Sequence, residues 1–259
     1  MLVQDLLSTL EAIAKGKDLA TPYIVGGLPR DKAFGMDISG ASDIDITTGD
    51  RGSYVLGLMA SKEWPAANYR SYEDGHSSLD FKNIRLDFSN NFVLPGITEE
   101  LKKMGIEDPT DLDKEVYSRD FTINTLLQPT DLKKDLIDRT GKGLEDIKNR
   151  VLRTPVNAEL TIGYDPRRII RALKLSIKFD LKIDDELKDA IEKYKGNIKD
   201  ISLGYIKKQV NEMLKADSQK ALDLLVEFKL LPVLPLSKLM TVELAKKRMV
   251  QHLLDGWEI

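Results

Sequence analysis

The chain has no cysteine and only two histidines, His76 and His252. Disulfides, thiolate metal sites and thiol nucleophiles are excluded, and a histidine-built zinc centre is not expected. Any catalytic metal must therefore rest on carboxylates. No apolar run approaches the ~20 residues of a membrane-spanning helix. The N-terminal stretch is interrupted by Gln4, Asp5 and Glu11 where a secretory leader would be continuously apolar, so a cytoplasmic setting is expected. Bulk positive charge is also missing. The formal net charge is −3, and nucleic-acid binding would have to be local to one basic face. Repeats, low-complexity tracts and Ser/Gly linkers are lacking too, which predicts docked units rather than swinging ones. What is present, 42% hydrophobic and 31% charged residues over 259 positions, is enough for a packed core in one elaborated domain or two modest ones.

Apolar residues at helical spacing (Leu2, Leu6, Leu10, Ile13) followed by Gly16 predict an amphipathic first helix with a C-terminal glycine. From Tyr23 the pattern becomes strand (YIV), Gly26-Gly27, a short helix ending near Gly35, and a second strand around DIDITT. Residues 77–93 alternate polar and apolar around Lys82-Asn83, as a β-hairpin would. Strand signals fade after Pro129, and helical stretches follow: RRIIRALKLSIKF, DDELKDAIEKY, IKKQVNEMLK and QKALDLLVEFKLL. The expectation is an α+β protein with a small mixed sheet in its first half and an all-α second half.

Asp43 and Asp45 lie two apart in a strand whose isoleucines, Ile44 and Ile46, would face the core. Period-2 geometry sends both carboxylates to the other face. Close carboxylates raise each other's pKa unless a cation neutralises them, and hard oxygen donors suit Mg²⁺ bridged to phosphate. Asp87, in IRLDFSN, is the candidate third carboxylate, from a neighbouring strand, for a site holding two ions. The pattern D-x-D also occurs in turns and solvated strand ends, so context decides. Gly26-Gly27, between a strand and a short helix bearing Arg30 and Asp31, would let backbone amides approach a triphosphate and present its α-phosphate to those metals.

These motifs, in this order, resemble the class II tRNA nucleotidyltransferase and bacterial poly(A) polymerase family of the polymerase β-like nucleotidyltransferase superfamily. IVGGLPRDKAFG and SDIDITT resemble its Gly-Gly, Arg-Asp and D-x-D signature, and SRDFTINTLL its R-R-D-F-T-x-N-A motif. LIDRTGKGLEDIKNRVLRT is similar to the following Gly- and Arg-containing segment, and YDPRRIIRALKLSIKFDLKI to the E-D-P-x-R-x-x-R-A helix. The likeness runs from about Tyr23 to Pro235. It implies a nucleotidyltransferase head at 1–139 and a helical neck at 140–259, with body and tail domains short or absent. It also implies metals on Asp43 and Asp45, and a triphosphate at Gly26, Gly27 and Arg30. Arg119, Asp120 and Asn124 would lie near the ribose, an Asp and an Asn being able to hydrogen-bond a 2′-hydroxyl. Asp165 and Arg168 would read the Watson–Crick edges of C and A in place of a template, with Arg171 nearby. Substrates would be ATP and CTP with two Mg²⁺ ions, and the partner an RNA 3′ end, most of all that of tRNA. Protein partners are not indicated.

Two departures stand near the nucleotide. Tyr164 replaces the family's Glu, and Ser118 replaces the first Arg of the ribose motif, which implies base selection that is relaxed or rebuilt. The chain ends soon after the neck, as a compact enzyme or a truncated one would. Basic residues from Lys142 to Lys178 supply the local face needed for RNA, with Arg153, Arg167 and Lys174 as RNA contacts and a solvated helix face as the plain alternative. His76 and His252 have no partner at triad or ligand spacing and read as surface or hydrogen-bonded residues. The tail AKKRMVQHLLDGW reads as a closing helix. The expected reaction is CMP and AMP addition to tRNA. The rivals are A-only addition to RNA ends, a non-catalytic RNA-binding or inhibitory homologue, and nucleotidyl transfer to another RNA or a protein.

Overall fold

In the computed structural model, residues 3–89 and 91–234 are described; Leu2, His252 and the tail segment lie outside them. The first half runs α1 (Val3–Gly16), β1 (Tyr23–Val25), α2 (Gly27–Ala33), β2 (Asp43–Thr47), α3 (Gly52–Glu63), β3 (Asn68–Ser71), β4 (Ser77–Phe81) and β5 (Ile84–Phe88). Next come α4 (Ile97–Lys103), α5 (Asp111–Tyr117), a 3₁₀ turn (Thr122–Asn124) and β6 (Gln128–Pro129). The helical half comprises α6 (Gly143–Asn149), β7 (Val151–Leu152), α7 (Ala158–Tyr164), α8 (Arg167–Phe179), β8 (Lys182–Ile183), α9 (Asp185–Tyr194), α10 (Leu203–Ala216) and α11 (Ser218–Glu227). The expected α+β architecture, a small mixed sheet followed by helices, is what the chain forms.

The sheet order is β3-β4-β5-β2-β1-β6. Within this sheet β2 and β5 run parallel and the other pairs are antiparallel. Strands β7 and β8 form a separate two-stranded parallel ladder, so the second half is not all-α as expected. The β4–β5 hairpin turns at Lys82, whose φ of 55° is the left-handed conformation a tight turn needs. Ile44 and Ile46 are fully buried against Leu6, Leu7 and Leu10 of α1 and Leu56 of α3. Each contributes about 1.5–3 kcal/mol by leaving water, and a one-residue register slip would drive both aspartates into that core. The opposite face of the sheet is partly covered by α4 and α5, through Val25, Leu101, Val116 and Leu127. A capping box between Thr110 and Asp113 fixes the start of α5.

The helical half has its own core, built on the apolar face of α8 (Ile169, Ile170, Leu173, Ile177) with Leu187, Ile191, Ile206 and Met213 from α9 and α10. Phe121, Ile123 and Leu126 belong to this core too. The segment after α5 is therefore anchored in the helices while its neighbours line the sheet. That shared core holds the two halves together along one cleft.

Candidate functional site

Between the sheet and α8 lies a cleft of about 520 Å³, lined by Asp45, Asp87, Gly26, Gly27, Arg30, Arg119, Asp120, Asn124 and Arg171 among others. Its strand wall follows from register. Asp45 is the direct cross-strand partner of Asp87 in the parallel β2–β5 pair, and Asp43 partners Arg85. Directly paired residues project to the same face, so the three carboxylates share one surface. Asp45 meets water at the cleft floor but is walled by protein. Burial pushes its pKa up to about 6; Asp43 and Asp87 push the same way, and Arg119 and Arg171 only partly oppose them. Burial, then Asp87, also raises Asp43. Asp87 accepts from Arg85 through Nε at 2.8 Å and Nη2 at 2.9 Å.

Asp43 and Asp45 are left short of counter-charge beside Asp87, and hard oxygen donors of this kind suit Mg²⁺. Among the described residues no three Asp, Glu or His side chains are grouped so as to hold an ion, and Asp87 is paired with Arg85. The chemistry of the donors, carboxylate oxygens alone, suits the ion.

Gly26 closes the end of β1. Its φ of 76° disfavours any L side chain, and a Cβ there would stand 2.7 Å from Asp45 Oδ2. Backbone thus passes against the carboxylates with nothing between. From α2, Arg30 Nη1 donates to Asn124 Oδ1 at 2.9 Å, Asn124 Nδ2 donates to Asp120 Oδ1 at 2.8 Å, and Arg171 Nη2 lies 2.6 Å from Asp120 Oδ2. This chain of contacts ties α2, the 3₁₀ turn and α8 into one wall. Burial works to raise Asp120, but Arg171, Asn124, Arg168 and Arg119 outweigh it and hold the carboxyl below the ordinary aspartate range.

A side chamber of about 230 Å³ opens from this wall, lined by Phe92, Ser118, Asp165, Arg168 and Arg171 among others. Asp165 and Arg168, the expected base-reading pair, both line it. Asp165 caps the end of α7 in extended conformation and pairs with Arg167 (2.8 Å) rather than with Arg168. Arg168 is buried and donates to the backbone carbonyls of Ser118 (2.8 Å) and Arg119 (3.4 Å). The family's Glu is thus not what orients this arginine. Ser118 is a buried helix cap whose Oγ accepts from Leu94 N and donates to Lys114 O. Tyr164, half exposed, packs its ring 5.2 Å from Phe92 across the junction.

The three residues marked for RNA are scattered. Arg153 is paired with buried Asp146 at 3.0 Å, and Arg167 stands exposed beside Asp165. Lys174 pairs with Glu212 and lines a second hollow of about 470 Å³ that shares Arg30 and Arg171 with the main cleft. His76, read from the sequence as an ordinary histidine, also lines the main cleft. Its position between two short strands carries no spacing signal that would have revealed this.

The family description of the poly A polymerase head domain matches residues 22–153. The tRNA nucleotidyltransferase cca1 of Schizosaccharomyces pombe is 42% identical over 74 residues, 28% of this chain and 14% of that one. The CCA-adding enzyme of Staphylococcus aureus is 27% identical over 194 residues, 74% of this chain and 46% of that one. A solved tRNA nucleotidyltransferase complexed with a primer tRNA and an incoming ATP analog superposes with a TM-score of 0.66 at 23% identity. It covers 87% of this chain and 62% of its own, a likeness of fold. The chain spans less than half the length of these two curated relatives.

Proposed function

Because the chain belongs to the family of the poly A polymerase head domain, we propose that it extends RNA 3′ ends without a template. In this reading it adds CMP and AMP from CTP and ATP to a tRNA lacking its CCA end. The observation that carries the reading is the convergence, in one cleft, of the Asp45–Asp87 register pair, the Gly26-Gly27 turn and a side chamber faced by Asp165, Arg168 and Arg171. The names of the relatives, CCA-adding enzymes and tRNA nucleotidyltransferases, support the same substrates. Residues 1–139 then serve as the catalytic head and 140–259 as the neck.

In this mechanism Gly26 and Gly27 present backbone to the triphosphate, and Arg30 holds its charge from α2. Asp120 and Asn124, fixed by Arg30 and Arg171, set the ribose beside Arg119. Asp165 and Arg168 meet the base edge, the arginine being held by two carbonyls so that its direction does not depend on the ligand. Asp43, Asp45 and Asp87 would hold Mg²⁺, which would lower the pKa of the attacking 3′-hydroxyl and stabilise the leaving pyrophosphate. The RNA 3′-oxygen forms a bond to the α-phosphorus while the bond to pyrophosphate breaks. Arg153, Arg167 and Lys174 would carry backbone contacts to RNA.

The deciding experiment supplies Mg²⁺ and tRNAs ending before CCA, after C or after CC, with CTP and ATP separately and together, and resolves products by single nucleotides. Addition that stops at CCA is expected. Long runs of A would make the protein a poly(A) polymerase, and no addition by folded protein would leave a non-catalytic RNA-binding homologue.

A further inference from the structure

One wall of the cleft has no part in the mechanism above. His76, in the turn between β3 and β4, lines the cleft with Asp45 and Asp87. Its ring lies flat on Tyr72, with centroids 3.9 Å apart and planes within 8°. Its Nδ1 pairs closely with Asp74, its backbone N–H donates to the same carboxylate, and Tyr72 N donates to His76 O at 3.0 Å. Tyr72 is itself bonded through its hydroxyl to Ser78 Oγ at 3.3 Å. Two rings and a turn are thus locked together on a short hairpin. Of the two rings only His76 lines the cleft, with Tyr72 stacked on one of its faces.

Geometry says what that ring would meet. In-line displacement puts the attacking oxygen and the leaving pyrophosphate on opposite sides of the phosphorus. With the triphosphate at Gly26, Gly27 and Arg30, beside β1, the acceptor must approach from the other side of the Asp45–Asp87 pair. The strand order places β4 and β3 on that side, beyond β5, and His76 with them. Arg85, also in the cleft lining, is committed to Asp87, so what this wall offers the acceptor is the imidazole ring. We propose that the Tyr72–His76 stack is the platform for a base at the 3′ end of the single-stranded acceptor RNA. This rests on the nucleotidyltransferase reading and extends it to the acceptor. Stacking on an aromatic face tolerates any base, which suits an acceptor whose last base changes as it grows.

The test uses the whole chain and a fluorescently labelled single-stranded RNA ending in CC, titrated by anisotropy without nucleotide. His76→Ala is expected to weaken RNA binding about tenfold, within the range found when aromatic stacking partners of single strands are truncated. His76→Phe, which keeps a ring, is expected to bind like wild type and to extend the RNA. Neither variant should change ATP affinity or melting temperature. Tyr72→Ala, which removes the stacked ring, should fall between them. Unchanged RNA binding by His76→Ala, with the wild type binding normally, overturns the platform and leaves the nucleotidyltransferase reading intact. Normal binding but no turnover by His76→Phe would give the imidazole a chemical role and overturn stacking as its purpose. Failure of the wild type to bind or extend any RNA removes the reading on which the platform rests.

Discussion

The strand wall of the cleft and its helical wall both carry aspartates, and they balance that charge in opposite ways. On the strands, Asp45 faces Asp87 and Asp43, and its carboxyl is pushed up to about 6 by burial and by those neighbours. On the helical side, Asp120 is more deeply buried, yet Arg171, Asn124, Arg168 and Arg119 hold it below the usual range. Position in the sheet explains the first: parallel register forces two aspartates side by side, with one arginine committed to Asp87. Helical spacing explains the second, because Arg168 and Arg171 come from one face of α8 toward a fixed acceptor. An acidic group short of counter-charge is suited to receive a cation; one already satisfied is suited to hold shape.

Exchanging charge for an amide at each place should therefore give opposite results. Asp45→Asn is expected to lower nucleotide addition by about a thousandfold or more, the scale seen when a group stabilising transition-state charge is lost. Its melting temperature should stay level or rise, since repulsion is relieved. Mg²⁺ should raise the melting temperature of the wild type and not of this variant. A destabilised Asp45→Asn protein, or one that keeps its activity, would end the comparison.

Gly26→Ala comes next. The positive φ and the 2.7 Å approach to Asp45 leave no room for a methyl group, so strain of about 1–3 kcal/mol is expected. Relief would come by pushing back the turn or the carboxylate, and nucleotide addition should fall about a hundredfold while RNA binding holds. Activity assays beside RNA anisotropy would check this.

Asp120→Asn should act on the fold. It leaves Arg171 without its carboxylate; that guanidinium is half exposed, so a cost of about 2 kcal/mol is expected, below that of a fully buried broken pair. Denaturant unfolding would measure it. The pH dependence has a definite sign. A carboxyl depressed in the folded state gives its full stabilisation above the unfolded value near 3.8 and loses it as pH falls through the folded value. The gap between wild type and Asp120→Asn should therefore be constant near neutrality and close only in acid.

What could be read from the sequence were the features that depend on local periodicity. Two-residue alternation put Asp43 and Asp45 opposite Ile44 and Ile46, and the Lys82-Asn83 turn marked the hairpin that returns Asp87 to them. The two-residue strands β7 and β8 carry no period and went unseen. Arg168 was identified by its place in a motif, but not its partners: the carbonyls of Ser118 and Arg119 are about fifty residues away and belong to a helix end. His76 entered the cleft through a hairpin turn, where no spacing rule applies. Contacts set by packing between distant elements leave no periodic trace.

The smallest effect is expected at Tyr164, the position where the family carries Glu. If base selection depended on that carboxylate, its replacement would leave Arg168 without support. Arg168 instead donates to two main-chain carbonyls, which no substitution at 164 removes. Tyr164→Ala should therefore cost only the aromatic contact with Phe92, about 0.5–1.5 kcal/mol of stability. The preference between CTP and ATP should shift by no more than about threefold, since a loss below 1 kcal/mol in orientation is all that remains. Arg168→Ala should abolish that preference. Tyr164→Glu gives the sharper measurement, because it restores the family residue. Competition between CTP and ATP on a tRNA ending after CC should give the same ratio as wild type. A ratio improved tenfold would mean that the carbonyls hold Arg168 too loosely and that the lost carboxylate had been its true support.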